Sequence, residues 1–127
     1  MKIATAIAAA VLVAAAPAFA ACPDKPPRIK WNTHSGDQRV NDAYLQKLLP
    51  GKKVKFGSDG TEVYKKNGSY TYRTSKGNFD APSYRFYKDG TRCINYANPR
   101  FDLYVVNDKR LILINAKGWR GEGKVAK

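Results

Sequence analysis

The spacing of apolar residues changes near Lys52, from the helical period of 3.6 to the period of 2 that is typical of β-strands. Beyond this point, short alternating segments follow one another, separated by turn residues such as Asn67-Gly68 and Asp89-Gly90. We interpret them as about seven strands between residues 52 and 115. The sequence therefore predicts a mainly β fold, an antiparallel up-and-down meander or small barrel, with one amphipathic helix N-terminal to it.

The helix is predicted over residues 36–49. Ser35 and Gln38 fit a capping box, and Asp37 would lie in the first turn, where a negative charge is favourable. Pro50-Gly51 is expected to end the helix. Its apolar face would consist of Val40, Tyr44, Leu45, Leu48 and Leu49.

One later segment, Leu111-Ile112-Leu113-Ile114, is apolar at every position. Such a strand is typically covered on both faces. We expect the barrel interior to cover one face and the single helix to cover the other. The remainder of the chain, residues 119–127, is rich in glycine and lysine, and it is predicted to be a flexible basic tail.

Residues 1–20 have the three parts of a secretory signal peptide: a positive end at Lys2, an Ala-rich apolar stretch, and Ala18-Phe19-Ala20 before the cut. A membrane anchor would need about 20 apolar residues, and this stretch is shorter. We therefore predict a periplasmic or secreted protein. Residues 21–35 would be an extended Pro-rich arm and residues 36–118 the helix and barrel-like domain.

The chain has two cysteines, Cys22 and Cys93, and both lie after the predicted cut. An oxidising compartment favours a disulfide between them. The alternative is that Phe19-Ala20-Ala21-Cys22 is a bacterial lipobox. Cys22 would then carry acyl chains, and the protein would be a membrane-tethered lipoprotein with a free thiol at Cys93.

The formal net charge is +13, and it becomes +12 when Lys2 leaves with the signal peptide. Such a surface attracts polyanions, and salt weakens the attraction. For an exported protein the candidate partners are anionic polysaccharides, lipid head groups and wall polymers, whereas nucleic acid is scarce outside the cell. The alternative is that the charge serves only solubility.

Four basic residues are predicted on the polar faces of their strands, and we take them as anion-binding candidates: Lys53, Lys55, Arg73 and Arg85. Tyr64 and Tyr87 are expected to share this exposure. Cations interleaved with flat amphipathic rings suit a sugar-phosphate or acidic polysaccharide.

No catalytic constellation is convincing. Thr33-His34-Ser35-Gly36-Asp37 contains the letters of a hydrolase triad, but triads assemble from distant segments. His34 with Glu62 is the remaining acid–base pair that a hydrolase or nuclease could use. One histidine and two separated cysteines do not form a zinc site, and the sequence predicts no metal and no cofactor.

A family likeness rests on LPGKKVKFGSDGTEVYKKNGSYTYR, DGTRCINY and RFDLYVVNDKRLILINAKG. Residues 45 to 118 resemble the small exported β-rich proteins of Gram-negative bacteria that are classed as a domain of unknown function. The resemblance implies an envelope protein and transfers no catalytic residues. Members often carry further cysteines in the sheet, whereas Cys93 here has only Cys22 as a partner.

The first hypothesis is therefore an exported non-enzymatic binding module with a basic face for an anionic envelope or host polymer. A protein-interaction factor, such as an inhibitor or a virulence-associated envelope protein, is the second. A small secreted hydrolase or nuclease is the third.

Overall fold

The computed structural model describes residues 21–127, so the predicted signal peptide lies outside the described residues. Residues 21–35 contain no helix or strand. No helix in the described part of the chain is long and apolar enough to cross a membrane. The elements are β1 (Gln38–Arg39), α1 (Asp42–Leu48), β2 (Lys53–Phe56), β3 (Gly60–Tyr64), β4 (Tyr70–Thr74), β5 (Gly77–Ala81), β6 (Tyr84–Phe86), β7 (Thr91–Ile94), β8 (Arg100–Asn107), β9 (Arg110–Asn115) and β10 (Arg120–Ala126).

The strands form one antiparallel sheet in the order β5-β4-β3-β2-β10-β9-β8-β7-β6, and the short β1 pairs beside β8. This is the order of an up-and-down barrel in which the last strand closes onto β2. The ladder between β5 and β6 is absent, so the barrel is nearly closed rather than complete. The mainly β, barrel-like prediction is confirmed, and β1, β5 and β10 are additional to the seven strands expected.

The prediction of a flexible tail over residues 119–127 is wrong, because β10 is a central strand paired with both β9 and β2. Gly121 and Gly123 lie in this strand at positions where a larger side chain would collide with a neighbouring residue. A Cβ added at Gly121 would lie 2.1 Å from Cη2 of Trp119, and one at Gly123 would lie 2.6 Å from Cγ1 of Val54. These glycines leave room for neighbouring side chains, which is one reason that glycine occurs inside strands.

The helix is shorter than predicted, and Ser35 does not cap it. Gly36 adopts φ +85°, a left-handed turn conformation that does not start a helix, and Gln38–Arg39 instead pairs with β8. The cap is Asn41, whose Oδ1 accepts a hydrogen bond from the backbone N–H of Tyr44 at 2.8 Å.

The second face of the apolar β9 strand is covered by the N-terminal arm and not by the helix. Trp31 packs outside the barrel against Leu103, Val105 and Ile114. Leu45 of the helix and Leu49, its C-cap residue, are instead part of the interior cluster.

Several links hold the arm and the turn that follows it to the barrel. The predicted disulfide between Cys22 and Cys93 is present, with the two Cα atoms 5.9 Å apart. Farther along, Arg120 of β10 donates to both carboxylate oxygens of Asp37, at 2.7 and 2.9 Å. This hydrogen bonding holds the pKa of Asp37 well below its usual range.

We predict that deletion of residues 119–127 abolishes cooperative folding, because it removes the ladders on both sides of β10 and opens the barrel. Urea unfolding followed by circular dichroism would measure this. Deletion of Lys127 alone, which lies beyond β10, is the control and should leave the transition unchanged. A nine-residue deletion with an unaltered midpoint would contradict the structural role of β10.

Candidate functional site

Charged and phenolic side chains fill the middle of the barrel, and we call this set the polar centre. Glu62 of β3 and Arg92 of β7 are each about 1% exposed and form a direct ion pair. The Glu62 carboxylate also accepts hydrogen bonds from the hydroxyls of Tyr64, Tyr70 and Tyr104. Both oxygens of this buried carboxylate are therefore occupied, as a buried charge requires.

The polar centre continues toward the open end of the barrel. Arg92 Nη2 donates to Asp102 Oδ2 at 2.5 Å, and the half-exposed Arg100 donates to the same carboxylate at 3.0 Å. Two carboxylates thus face two guanidinium groups. A cavity of about 30 Å³ lies at this open end, which is room for about one or two waters. It is lined by Phe56, Glu62, Tyr70, Tyr72, Arg92, Tyr96, Arg100, Leu113 and Trp119.

Burial raises the pKa of Tyr64, Tyr70 and Tyr104 well above 10, and the negative charge of Glu62 raises each of them further. These phenols consequently remain protonated and act as donors. Burial would lower the pKa of Arg92, but the adjacent carboxylates outweigh it and raise that pKa. The three tyrosines are therefore neutral donors in the polar centre, and Arg92 keeps its positive charge.

The structure does not bring together the acid–base pair considered for a hydrolase. His34 lies in an exposed turn, where its backbone N–H donates to Asp37 at 2.7 Å. Glu62 is inside the barrel and is held by Arg92 and three tyrosines. Its contacts link β3 and β4 to β7 and β8, which is a structural role.

We predict that Glu62→Gln destabilises the protein by about 3–5 kcal/mol, because it leaves Arg92 with one buried partner fewer. Chemical denaturation would measure the loss. The other glutamate provides a matched control, since Glu122 is exposed and Glu122→Gln should change stability by less than about 0.5 kcal/mol. Equal effects of the two substitutions would show that the polar centre does not stabilise the barrel.

We also predict that the buried tyrosines ionise only as the protein unfolds in alkali. Their folded pKa values lie above the unfolded value of about 10, so their contribution to stability is present below that pH and is lost as the pH rises. Phenolate absorbance and near-UV circular dichroism should therefore change together for these groups. The structure would be contradicted if all eight tyrosines ionised while the native dichroism persisted.

The outer surface of the barrel carries a separate feature, which we call the basic row: Lys124 of β10, Lys55 of β2 and Arg73 of β4. Lys124 is directly opposite Lys55, and Thr61 of β3 is opposite both Lys55 and Arg73. Paired residues share a face, and strands lie about 4.8 Å apart, so Lys55 and Arg73 are about 10 Å apart at the backbone. All three are exposed, and within residues 21–127 none forms an ion pair.

The four predicted anion-binding residues divide into two groups. Lys53 and Lys55 lie on β2 and share the outer face with Arg73. Arg85 lies on β6, at the opposite end of the sheet order, and its Nη1 donates to Asp24 at 3.1 Å. Its guanidinium also lies over the ring of Tyr87. The structure therefore brings together the first three residues and not Arg85.

Sequence reasoning missed Lys124, because it lies in the segment predicted to be a flexible tail, residues 119–127. The available signal was the alternation of Arg120, Glu122 and Lys124 with Gly121, Gly123 and Val125. The expected exposure of Tyr64 was also wrong, since it is fully buried and Val63 faces outward. Tyr87 is buried as well, with its hydroxyl donating to the Pro23 carbonyl at 2.6 Å.

A groove of about 510 Å³ runs beside the basic row, between the β2–β3 turn and β10. Trp119 is 37% exposed in this groove, and its ring meets Phe56 edge-on at a centroid distance of 6.0 Å. Arg120 also lines the groove, but its guanidinium is held by Asp37. The other lining residues are Lys55, Gly57, Asp59, Gly121, Glu122 and Lys124.

Comparison with protein-family models, curated proteins and solved structures gives no significant match. Function is therefore inferred from the positions and chemistry of the side chains. Two features are relevant: a polar centre whose buried charges are paired with one another, and an outer basic row without acidic partners in the described part of the chain.

Proposed function

We propose that this chain is an exported non-enzymatic binding module whose outer basic face binds an anionic polymer of the bacterial envelope or of a host surface. The observation that carries this proposal is the basic row. Lys124, Lys55 and Arg73 lie on one exposed face of β10, β2 and β4, with Thr61 of β3 between Lys55 and Arg73. A row of exposed cations complements the negative charges of a polyanion.

The pairing of Lys55 with Lys124 supports the proposal energetically. Like charges directly opposite each other on a sheet are destabilising. An anionic group between the two ammonium groups would remove this repulsion. Relief of a repulsion that destabilises the free protein would then make the free energy of binding more favourable.

The strength of each contact favours a polymer over a small ion. An exposed ion pair at 4 Å contributes about 1 kcal/mol in water. Three such contacts fall short of the roughly 4 kcal/mol that corresponds to a millimolar dissociation constant. A chain with many charges can occupy the basic row at several positions, and its effective concentration at the second contact is high.

The disulfide supports the exported location within this proposal. Disulfides persist mainly in oxidising compartments. Acylation of Cys22 would require the sulfur that is bonded to Cys93 in this structure. The disulfide therefore favours a periplasmic or secreted protein over a lipoprotein.

A second candidate function, binding to a protein partner, is favoured by the edge of β5. This strand has no ladder to β6, its residues Gly77 to Asp80 are exposed, and Phe79 is 52% exposed. An unpaired strand edge can accept a strand from another chain. Such binding would persist in moderate salt, whereas binding to the basic row would not.

We predict that the triple substitution Lys55→Glu, Arg73→Glu, Lys124→Glu abolishes salt-sensitive retention on immobilised polyanions. The slope of log affinity against log salt should fall by about 2, since each lost contact removes about 0.7. Polyphosphate and polygalacturonate columns would measure this at several salt concentrations.

The matched control reverses three exposed lysines elsewhere, Lys25, Lys30 and Lys88, and gives the same change in net charge. The proposal requires the control to retain most of its binding. Equal losses of binding in the two variants would show that net charge alone attracts the polymer. Unchanged binding by the triple variant would refute the proposal that the basic row is the binding site.

A further inference from the structure

The indole of Trp119 is held in a defined orientation at the groove. Its backbone N–H donates to Asn115 Oδ1 at 2.9 Å, and its ring lies across Gly121, where a Cβ would collide with it. Phe56 supports the ring from the barrel side at an interplanar angle of 68°. An exposed ring that is already immobilised loses little conformational entropy when a ligand packs on it.

Charged groups of both signs line the same groove as this ring. Lys55 and Lys124 line the groove together with the carboxylates of Asp59 and Glu122. Glu122 is only loosely paired, with its Oε1 4.0 Å from Arg110 Nε. The groove therefore presents an apolar plate, two ammonium donors and two carboxylate acceptors within about 510 Å³, a volume typical of ligand pockets.

We infer that this groove binds one acidic sugar unit of a polysaccharide. The apolar face of the sugar ring packs on Trp119, and its anionic group lies between Lys55 and Lys124. Asp59 and Glu122 accept hydrogen bonds from the sugar hydroxyls, because an ionised carboxylate only accepts. This inference rests on the proposed function and identifies the anionic polymer as a polysaccharide.

The two carboxylates distinguish a sugar from other anionic polymers. Polyphosphate offers no hydroxyl donors to Asp59 and Glu122, and its negative charges are repelled by them. A single-stranded oligonucleotide can stack a base on an exposed indole, but its phosphates meet the same repulsion. A uronic acid unit supplies a flat apolar face, one negative charge and several hydroxyl donors.

The test measures the affinity of the protein, residues 21–127, for oligogalacturonate, polyphosphate, a single-stranded oligonucleotide and neutral dextran. Trp119→Ala should weaken oligogalacturonate binding about tenfold and change polyphosphate binding less than about twofold. Trp119→Phe retains a ring against Phe56 and should have a smaller effect, which keeps the test valid if the alanine variant does not fold. Intrinsic fluorescence gives a second readout, since Trp31, the other tryptophan, is buried.

Asp59→Asn gives the sharpest contrast. Removing this negative charge should strengthen polyphosphate binding, whereas loss of a strong acceptor should weaken oligogalacturonate binding. Asp108→Asn, in the exposed β8–β9 turn, is the matched control and should affect neither. If Asp59→Asn strengthens the binding of both polymers, Asp59 accepts no sugar hydroxyl and the inference is wrong.

The outcomes separate this inference from the proposed function. Charge-dependent retention of all polyanions, with equal effects of Trp119 substitution on each, would overturn the saccharide site and leave the basic row intact. Tighter binding of the oligonucleotide than of oligogalacturonate would overturn it in favour of base stacking. Absence of retention on any polyanion would refute the proposed function itself.

Discussion

The buried ion pair between Glu62 and Arg92 joins two halves of a barrel that the backbone leaves incomplete. Because β5 and β6 form no ladder, the backbone ladders of the described chain join strands β2–β5 to strands β6–β10 only where β2 meets β10. Glu62 on β3 and Arg92 on β7 connect the halves through the interior, with Tyr70 and Tyr104 as additional donors. Such a pair adds little net stability over a hydrophobic replacement, but it strongly disfavours arrangements that would leave one charge unpaired.

The outer face of the same strands differs from the interior in how its charges are paired. Interior charges are neutralised by partners, whereas the outer cations Lys55 and Lys124 face each other without an acidic partner in the described chain. Stability alone would favour opposite charges at such a position. The groove beside them, with the immobilised ring of Trp119, is where an external anion would supply the missing charge.

Much of the fold could be predicted because its signals are local. Turn pairs such as Asn67-Gly68 and the alternation in β2 and β4 are recognisable within a few residues, and the disulfide follows from the presence of two cysteines after the predicted cut. The polar centre could not be predicted, because Glu62 and Arg92 are 30 positions apart and each alone resembles a surface residue. The ion pair also fixes which face of β3 points inward, with Glu62 and Tyr64 on the interior face and Val63 on the outer face. Without knowledge of the pair, the sequence predicts the opposite face for Tyr64. Of the candidate site, Lys53, Lys55 and Arg73 were identified and Lys124 was not.

By itself, the sequence determined the mainly β class, the turns, the disulfide partners and the basic character of the surface, since composition and short-range periodicity are sufficient for these. Only the tertiary structure decided that residues 120–126 form a central strand between β2 and β9, that the arm rather than the helix covers β9, and that Lys124 aligns with Lys55. The physical reason is that strand pairing and side-chain packing depend on partners distant in the chain. Gly121 and Gly123 illustrate this, because two glycines in a short segment are equally typical of a flexible tail and of a strand with crowding neighbours. Only the structure shows that Trp119 and Val54 occupy the space beside them.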